Sequence, residues 1–121
     1  MKVAVIGLGY WGPNLVRNLY ENQLCDQIVC CDLDPDRIEK IKKRYPSLEY
    51  ETDVKKVIAR DDIEASVVAT HVSSHYPLAK DLLTAGKHVF IEKPMASTRA
   101  EAEGLITLAE QKNRIIMIGH T

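Results

Sequence analysis

The sequence predicts an α/β protein: a doubly wound parallel sheet of six strands, ordered 3-2-1-4-5-6, between helices in one three-layer domain. Three observations carry that expectation. Short β-branched runs alternate with amphipathic stretches along the whole chain, a rhythm that calls for right-handed crossovers and parallel strands. The strand runs are nearly continuous in apolar residues, as strands buried on both faces are. Three glycines, Gly7, Gly9 and Gly12, stand where the first strand gives way to the first helix, which is more than a turn alone requires.

The elements follow in order. KVAVIG, from Lys2 to Gly7, reads as the first strand, and PNLVRNLYEN as a helix with Leu15, Val16 and Leu19 at helical spacing and Pro13 in its first turn. QIVCCD is the second strand. In DPDRIEKIKKRY, Asp34 is placed as N-cap and Pro35 at the first helical position. Ile38 and Ile41 face inward there, and Lys40, Lys42 and Lys43 form a solvated face. A weaker third strand spans Leu48 to Glu51, and Thr52 or Asp53 caps a short helix through Val57 and Ile58. ASVVAT is the fourth strand. Ser74 is expected to cap HYPLAKDLLTA, which Gly86 ends. HVFIEK is the fifth strand. Ser97 or Thr98 opens a long helix to about Lys112, with Thr98 and Glu101 at capping-box spacing. IIMIGHT is the sixth strand.

Composition narrows the functional classes. The chain has 121 residues, 45% of them hydrophobic, with 16 Lys and Arg against 17 Asp and Glu, a formal net charge of −1. That balance gives no general attraction to nucleic acid or to an anionic membrane. No apolar run approaches the ~20 residues of a membrane span, and glycines interrupt the N-terminal run before a signal-peptide core could form. A cytoplasmic location is expected. Cys25, Cys30 and Cys31 are an odd number with two neighbours in one strand, a poor disulfide framework and a poor metal site. They read as small buried hydrophobes.

Gly7, Gly9 and Gly12 fit G-x-G-x-x-G between a strand and a helix, the context that gives the pattern meaning. Gly7 allows the tight turn, Gly9 removes a Cβ that would block a diphosphate, and Gly12 lets the helix approach the sheet. The free amides and dipole of the helix start then favour the diphosphate. Tyr10 and Trp11 lie where their side chains can point away from it, with Trp11 as a lid or a contact to a neighbouring domain. The pattern asks for an acid about 20 residues on, and Asp32 stands 20 residues beyond Gly12. A carboxylate there accepts hydrogen bonds from the adenosine ribose and repels a 2′-phosphate. NAD is therefore expected over NADP, with Arg37 near enough to keep NADP open. The bland alternative is that Asp32 caps a turn and the glycines only permit close packing.

AGKHVFIEKP, GLGYWGPNLVRNL, CDLDPDR and GHT together resemble the glucose–fructose oxidoreductase / inositol dehydrogenase (Gfo/Idh/MocA) family, particularly members acting on nucleotide-linked or amino sugars. The resemblance covers the whole chain. It implies an N-terminal Rossmann domain for NAD, followed in family members by a C-terminal α/β domain carrying much of the substrate pocket. The chain ends at Thr121, where members continue, so it is expected to be a fragment or isolated domain lacking that second half. By the same resemblance Lys93 reaches substrate and nicotinamide, as a buried ammonium that orients a sugar hydroxyl or takes part in proton transfer; without the resemblance, Glu92 and Lys93 read as a solvated Lys–Glu pair at a strand end. Pro94 stiffens the strand exit after a cis bond, and Glu92 pairs with Lys93 or bonds a ribose hydroxyl. His75 matches the family histidine that opens the helix after strand four, close to the cofactor; ordinary polarity at a helix start explains it equally. Thr70 is a backbone or hydroxyl contact. His71 departs from the family, which has proline there, and takes no role. His120 faces the nicotinamide side on weak grounds, and His88 is structural.

The function expected is that of the nucleotide-binding domain of an NAD-dependent oxidoreductase, moving hydride between a sugar or nucleotide-sugar hydroxyl carbon and nicotinamide. The alternative is a catalytically inactive NAD-binding module, a redox sensor or regulatory domain. Self-association into a homo-oligomer is expected through apolar surface that the second domain would otherwise cover.

Overall fold

Lys2–Ile6 (β1) takes the middle of the sheet because residues from both of its faces are buried: Val3 and Val5 on one, Ala4 and Ile6 on the other. A computed structural model describes residues 1–119. In it β1 is followed by Gly12–Glu21 (α1), Gln27–Cys31 (β2), Pro35–Arg44 (α2), Glu49–Glu51 (β3) and Val54–Ala59 (α3). Then come Ala65–Val68 (β4), His75–Thr84 (α4), His88–Glu92 (β5), Arg99–Lys112 (α5) and Ile116–Gly119 (β6). The sheet order is β3-β2-β1-β4-β5-β6, and every pair is parallel, the order and direction read from the sequence.

The two layers of core follow from the period-two alternation of the strands. Val16 of α1 and Ile38 and Ile41 of α2 pack with Val3, Val5, Ile28 and Cys30. Val57, Leu82, Leu83 and Leu105, from α3, α4 and α5, pack with Ala4, Ile6, Cys31, Val68 and Ile91 on the other face. Cys30 and Cys31 therefore sit in different layers, and all three cysteines are free. Burial pushes the Cys30 and Cys31 thiols up to about 12, so both behave as hydrophobes rather than nucleophiles.

Caps set the helix limits. The Asp34 carboxylate accepts from the Asp36 amide, Asp53 from that of Lys55, and Thr98 Oγ1 from that of Glu101. Glu101 completes the box by accepting from Ser97, one residue ahead of the cap. Gly86 takes a φ of +83° after α4, and Asn113 a φ of +55° after α5, the left-handed ends that Gly and Asn tolerate.

Two local expectations change, and one alternative is settled. The third strand begins at Glu49, leaving Leu48 outside it. Thr98, not Ser97, caps α5. Ser74 makes no side-chain cap bond; its hydroxyl lies 2.7 Å from Thr70 Oγ1 and 2.8 Å from the His71 carbonyl oxygen, closing a 3₁₀ turn over Val72–Ser74. A serine that finds a nearer acceptor in its own turn no longer serves the helix.

The register decides where chemistry can occur. Ile6 pairs with Cys31 and with Val68, Val68 with Ile91, and Glu92 with Gly119. The carboxyl ends of five strands thus end along one edge, and the loops that leave them face one another.

Candidate functional site

That edge opens into a cleft of about 1100 Å³ whose walls include Gly7, Gly9, Tyr10, Trp11, Asp32, Thr70, His75, Glu92 and Lys93. Of the residues singled out from the sequence, Gly12 and Pro94 adjoin these walls in the chain, Gly12 buried and Pro94 exposed. His120 lies outside the described residues.

The first loop is shaped by its glycines. Gly7 adopts a φ of +100°, and a Cβ there would lie 2.7 Å from the Ala69 carbonyl oxygen. A Cβ on Gly12 would run into the Gly7 carbonyl, so any side chain would drive α1 off the loop. Gly9 differs: its missing Cβ faces the cleft, and the nearest atoms are those of the Arg37 guanidinium at 3.1 Å and beyond. The Gly7 amide donates to the Cys31 carbonyl and the Leu8 amide to Asp32. The amides of Gly9, Tyr10 and Trp11 donate to nothing among the described residues. These free donors at the start of α1 form a cradle for an anion, and the bare Gly9 face leaves room for one.

Asp32 is only 8% exposed. Oδ2 accepts from the Leu8 amide at 2.8 Å and Oδ1 from the Asp34 amide at 2.8 Å, which fixes the carboxylate at the end of β2. Arg37 Nη1 lies 3.6 Å from Oδ2. Each carboxylate oxygen retains capacity for a further donor, so the group can hold the loop and still receive ribose hydroxyls. The Asp32–Leu8 bond was not legible in the sequence, since it joins positions 24 apart. Lys40, read as part of a solvated face, is exposed and also lines the cleft; its place one turn beyond Arg37 on α2 was the available signal.

Tyr10 is 82% exposed and meets Trp11 edge to face, with ring centroids 4.8 Å apart. The pair stands at the cleft mouth. On the opposite side the Lys93–Pro94 bond is cis, as the resemblance implied. Lys93 is exposed rather than buried, and no ion pair joins it to Glu92. The strand β5 ends at the open rim of the cleft, where Lys93 is free to extend. Glu92 is half-buried, and its Oε2 is buried with no hydrogen-bond partner among the described residues. Thr70 Oγ1 accepts from Ser74, leaving its carbonyl toward His75. His75 is 2% exposed, with Nδ1 2.8 Å from the Pro94 carbonyl oxygen and Nε2 3.1 Å from that of Thr70. Both ring nitrogens are thereby occupied by the chain itself. His71 is exposed on the cleft wall. His88 lies at the other end of the sheet, accepting from the Ile115 amide through Nδ1.

A parallel doubly wound sheet with a glycine cradle and an acid at the end of β2 defines a dinucleotide-binding α/β domain. Residues 1–120 match the GFO_IDH_MocA family, described as an oxidoreductase family with an NAD-binding Rossmann fold, and the chain belongs to that family. It is 29% identical to scyllo-inositol 2-dehydrogenase (NADP(+)) IolW of Bacillus subtilis, over 98% of this chain and 34% of that protein. It is 33% identical to glycosyl hydrolase family 109 protein 4 of Phocaeicola vulgatus, over 91% of this chain and 23% of that protein. Among solved structures, GenD2 from gentamicin A biosynthesis in complex with NAD superimposes with a TM-score of 0.91 at 26% identity, covering 98% of this chain and 34% of the other. The chain spans about a quarter to a third of the length of these relatives. No helix among the described residues is long and apolar enough to cross a membrane, and no cluster of potential metal ligands occurs among them.

Proposed function

We propose that this chain is the nucleotide-binding part of an NAD-dependent oxidoreductase that transfers hydride between a hydroxyl-bearing carbon of a sugar or nucleotide sugar and nicotinamide. The observation that carries the reading is the set of unpartnered amides at Gly9, Tyr10 and Trp11, on the same loop whose Leu8 amide fixes the Asp32 carboxylate at the cleft.

The residues divide the work. Gly7 and Gly12 hold the loop, and the free amides bind the diphosphate. Asp32 receives the adenosine ribose hydroxyls and favours NAD; Arg37 beside it is the group through which NADP could also enter. Thr70, His75, Glu92 and Pro94 form the far wall where the nicotinamide half would lie. When bound, the nicotinamide supplies the hydride acceptor. Lys93 Nζ, extended from the rim, orients the substrate hydroxyl or takes its proton as hydride departs. The remaining substrate contacts belong to a second domain of the kind family members carry, so the chain alone binds NAD and turns over little or no substrate. It self-associates through apolar surface left open on the sheet.

The likeness to a glycosyl hydrolase family 109 protein favours a second reading, in which the same NAD-binding domain serves a reaction without net oxidation; a module that binds NAD without turnover is the limiting case. Calorimetric titration with NAD and NADP tests the shared premise: saturable binding, tighter for NAD, is expected, and no heat with either overturns it. NADH formation from a panel of inositols and nucleotide sugars, by the chain joined to its second domain, separates the oxidoreductase from the other readings.

A further inference from the structure

His75 is almost wholly buried, yet it places no free nitrogen toward the cleft. Its two ring nitrogens face two main-chain acceptors: the Pro94 carbonyl at 2.8 Å from Nδ1 and the Thr70 carbonyl at 3.1 Å from Nε2. Pro94 follows Lys93 at the exit of β5, and Thr70 lies in the loop after β4. The ring therefore bridges the two loops that form the far wall of the cleft.

A neutral imidazole has one N–H and one bare lone pair, and an imidazolium has two N–H groups. A carbonyl can only accept. The neutral ring can satisfy one of these carbonyls and must turn a lone pair on the other; the charged ring donates to both, through bonds stronger than neutral ones. The amino end of α4 and the burial of the ring both oppose a cation; the two carbonyl oxygens at hydrogen-bond distance are the groups that offset them. The other titratable or charged groups on this part of the cleft wall are His71 from the β4 loop and Glu92 and Lys93 from the end of β5. None of the hydrogen bonds of His75 goes to them.

We propose that His75 is the positioning residue of the site: as an imidazolium it ties the Lys93–Pro94 turn to the Thr70 loop, and on losing its proton it releases one of the two ties. The tie sets where Lys93 stands relative to the nicotinamide half of the dinucleotide. This rests on the NAD-binding reading above, and it assigns His75 to holding the wall rather than to touching the cofactor through nitrogen.

The test has two arms. In ¹⁵N spectra of the histidine-labelled chain at pH 6, with His75 assigned by its loss in His75→Phe, both ring nitrogens should carry hydrogen. On raising the pH one of them should become bare. A ring with one bare nitrogen down to pH 5 overturns the proposal. In the second arm, NAD titration should show binding about tenfold tighter at low pH than above the histidine transition, the factor expected for one charge-assisted bond. That dependence should vanish in His75→Phe and return in part in His75→Gln, which keeps an N–H donor. A pH dependence unchanged in His75→Phe overturns the assignment, because His71 or another group would then be its source. Failure of the wild-type chain to bind NAD at all would strike the functional reading, while the spectroscopic arm would still decide whether the tie exists.

Discussion

The two ends of the sheet solve opposite problems with the same kinds of residue. At the amino end, polar groups find partners within the chain. Lys2 pairs with Glu49 and Asp62, and Arg60 pairs with the same two carboxylates. Lys87, 2% exposed, sends its ammonium to the Arg60 and Ile63 carbonyls, and His88 accepts from the Ile115 amide. At the carboxyl end, amides at Gly9 to Trp11 and one oxygen of Glu92 lack partners among the described residues, and Tyr10, Leu33 and Val72 are exposed beside them. Buried polar groups are normally satisfied, so the buried Glu92 oxygen calls for a partner from outside the chain, while the amides of the exposed residues Gly9, Tyr10 and Trp11 stand open to whatever enters the cleft. The amino end pairs its polar groups within the chain, and the carboxyl end leaves some of them open to the cleft.

The largest expected effect comes from the position where that division is strictest. In Gly12→Ala the new Cβ meets the Gly7 carbonyl, a backbone atom held by the end of β1. Relief requires moving α1, and the cost should be about 4 kcal/mol or more, the range of severe backbone and packing conflicts. Urea unfolding reads it; an unchanged midpoint would mean that α1 does not start against this loop.

Lys87→Met comes next and probes the amino end alone. The methionine keeps much of the stem's volume while both carbonyls lose their donor, a loss of about 2–6 kcal/mol at roughly 1–3 per unsatisfied buried group. NAD affinity should stay within about twofold, because distant sites without shared partners act independently. A large fall in affinity with little loss of stability would break the comparison between the ends.

Gly9→Ala is the mirror of that variant. Its Cβ meets only the Arg37 guanidinium, the far end of a flexible, half-exposed side chain, so the fold should tolerate it. The methyl group would stand where the diphosphate needs bare backbone, and NAD affinity should fall about tenfold, the equivalent of one charge-assisted hydrogen bond. Calorimetry and thermal melting on the same sample separate the two outcomes; unaltered binding would place the diphosphate elsewhere.

How much of this could be read in advance depended on range along the chain. The strands, their order and the glycine cradle were legible because alternation and the Gly7–Gly9–Gly12 spacing are local. Asp32 was legible because its distance from the glycines is fixed by one strand–helix–strand unit. The bond from Leu8 to Asp32 and the double contact of His75 were not, since each joins loops that only the folded sheet brings together. Ser74 shows the same limit at short range: the sequence offers it as a cap, and a hydroxyl four residues back in the turn wins instead. Lys93 was expected as a buried ammonium on the family resemblance alone, with no local pattern behind it, and the fold leaves it exposed at the end of β5.

The smallest effect lies in the ion network of the amino end, and its sign follows from the direction of the shifts. Lys2, with help from Arg60, holds the Glu49 carboxyl below its usual range, and Arg60 with Lys2 does the same for Asp62. A carboxyl with a lower value in the folded state contributes stability above its unfolded value and loses it as pH falls through the folded one. The melting temperature should therefore decline from about pH 4.5 downward, and Arg60→Gln should flatten that decline. Because these groups are substantially exposed, the difference between wild type and variant should shrink as salt is added. At neutral pH the variant should bind NAD as the wild type does. An acid decline that Arg60→Gln leaves intact would move its origin to other carboxyls, and a change in NAD affinity would show that the two ends of the sheet are coupled through β4 rather than independent.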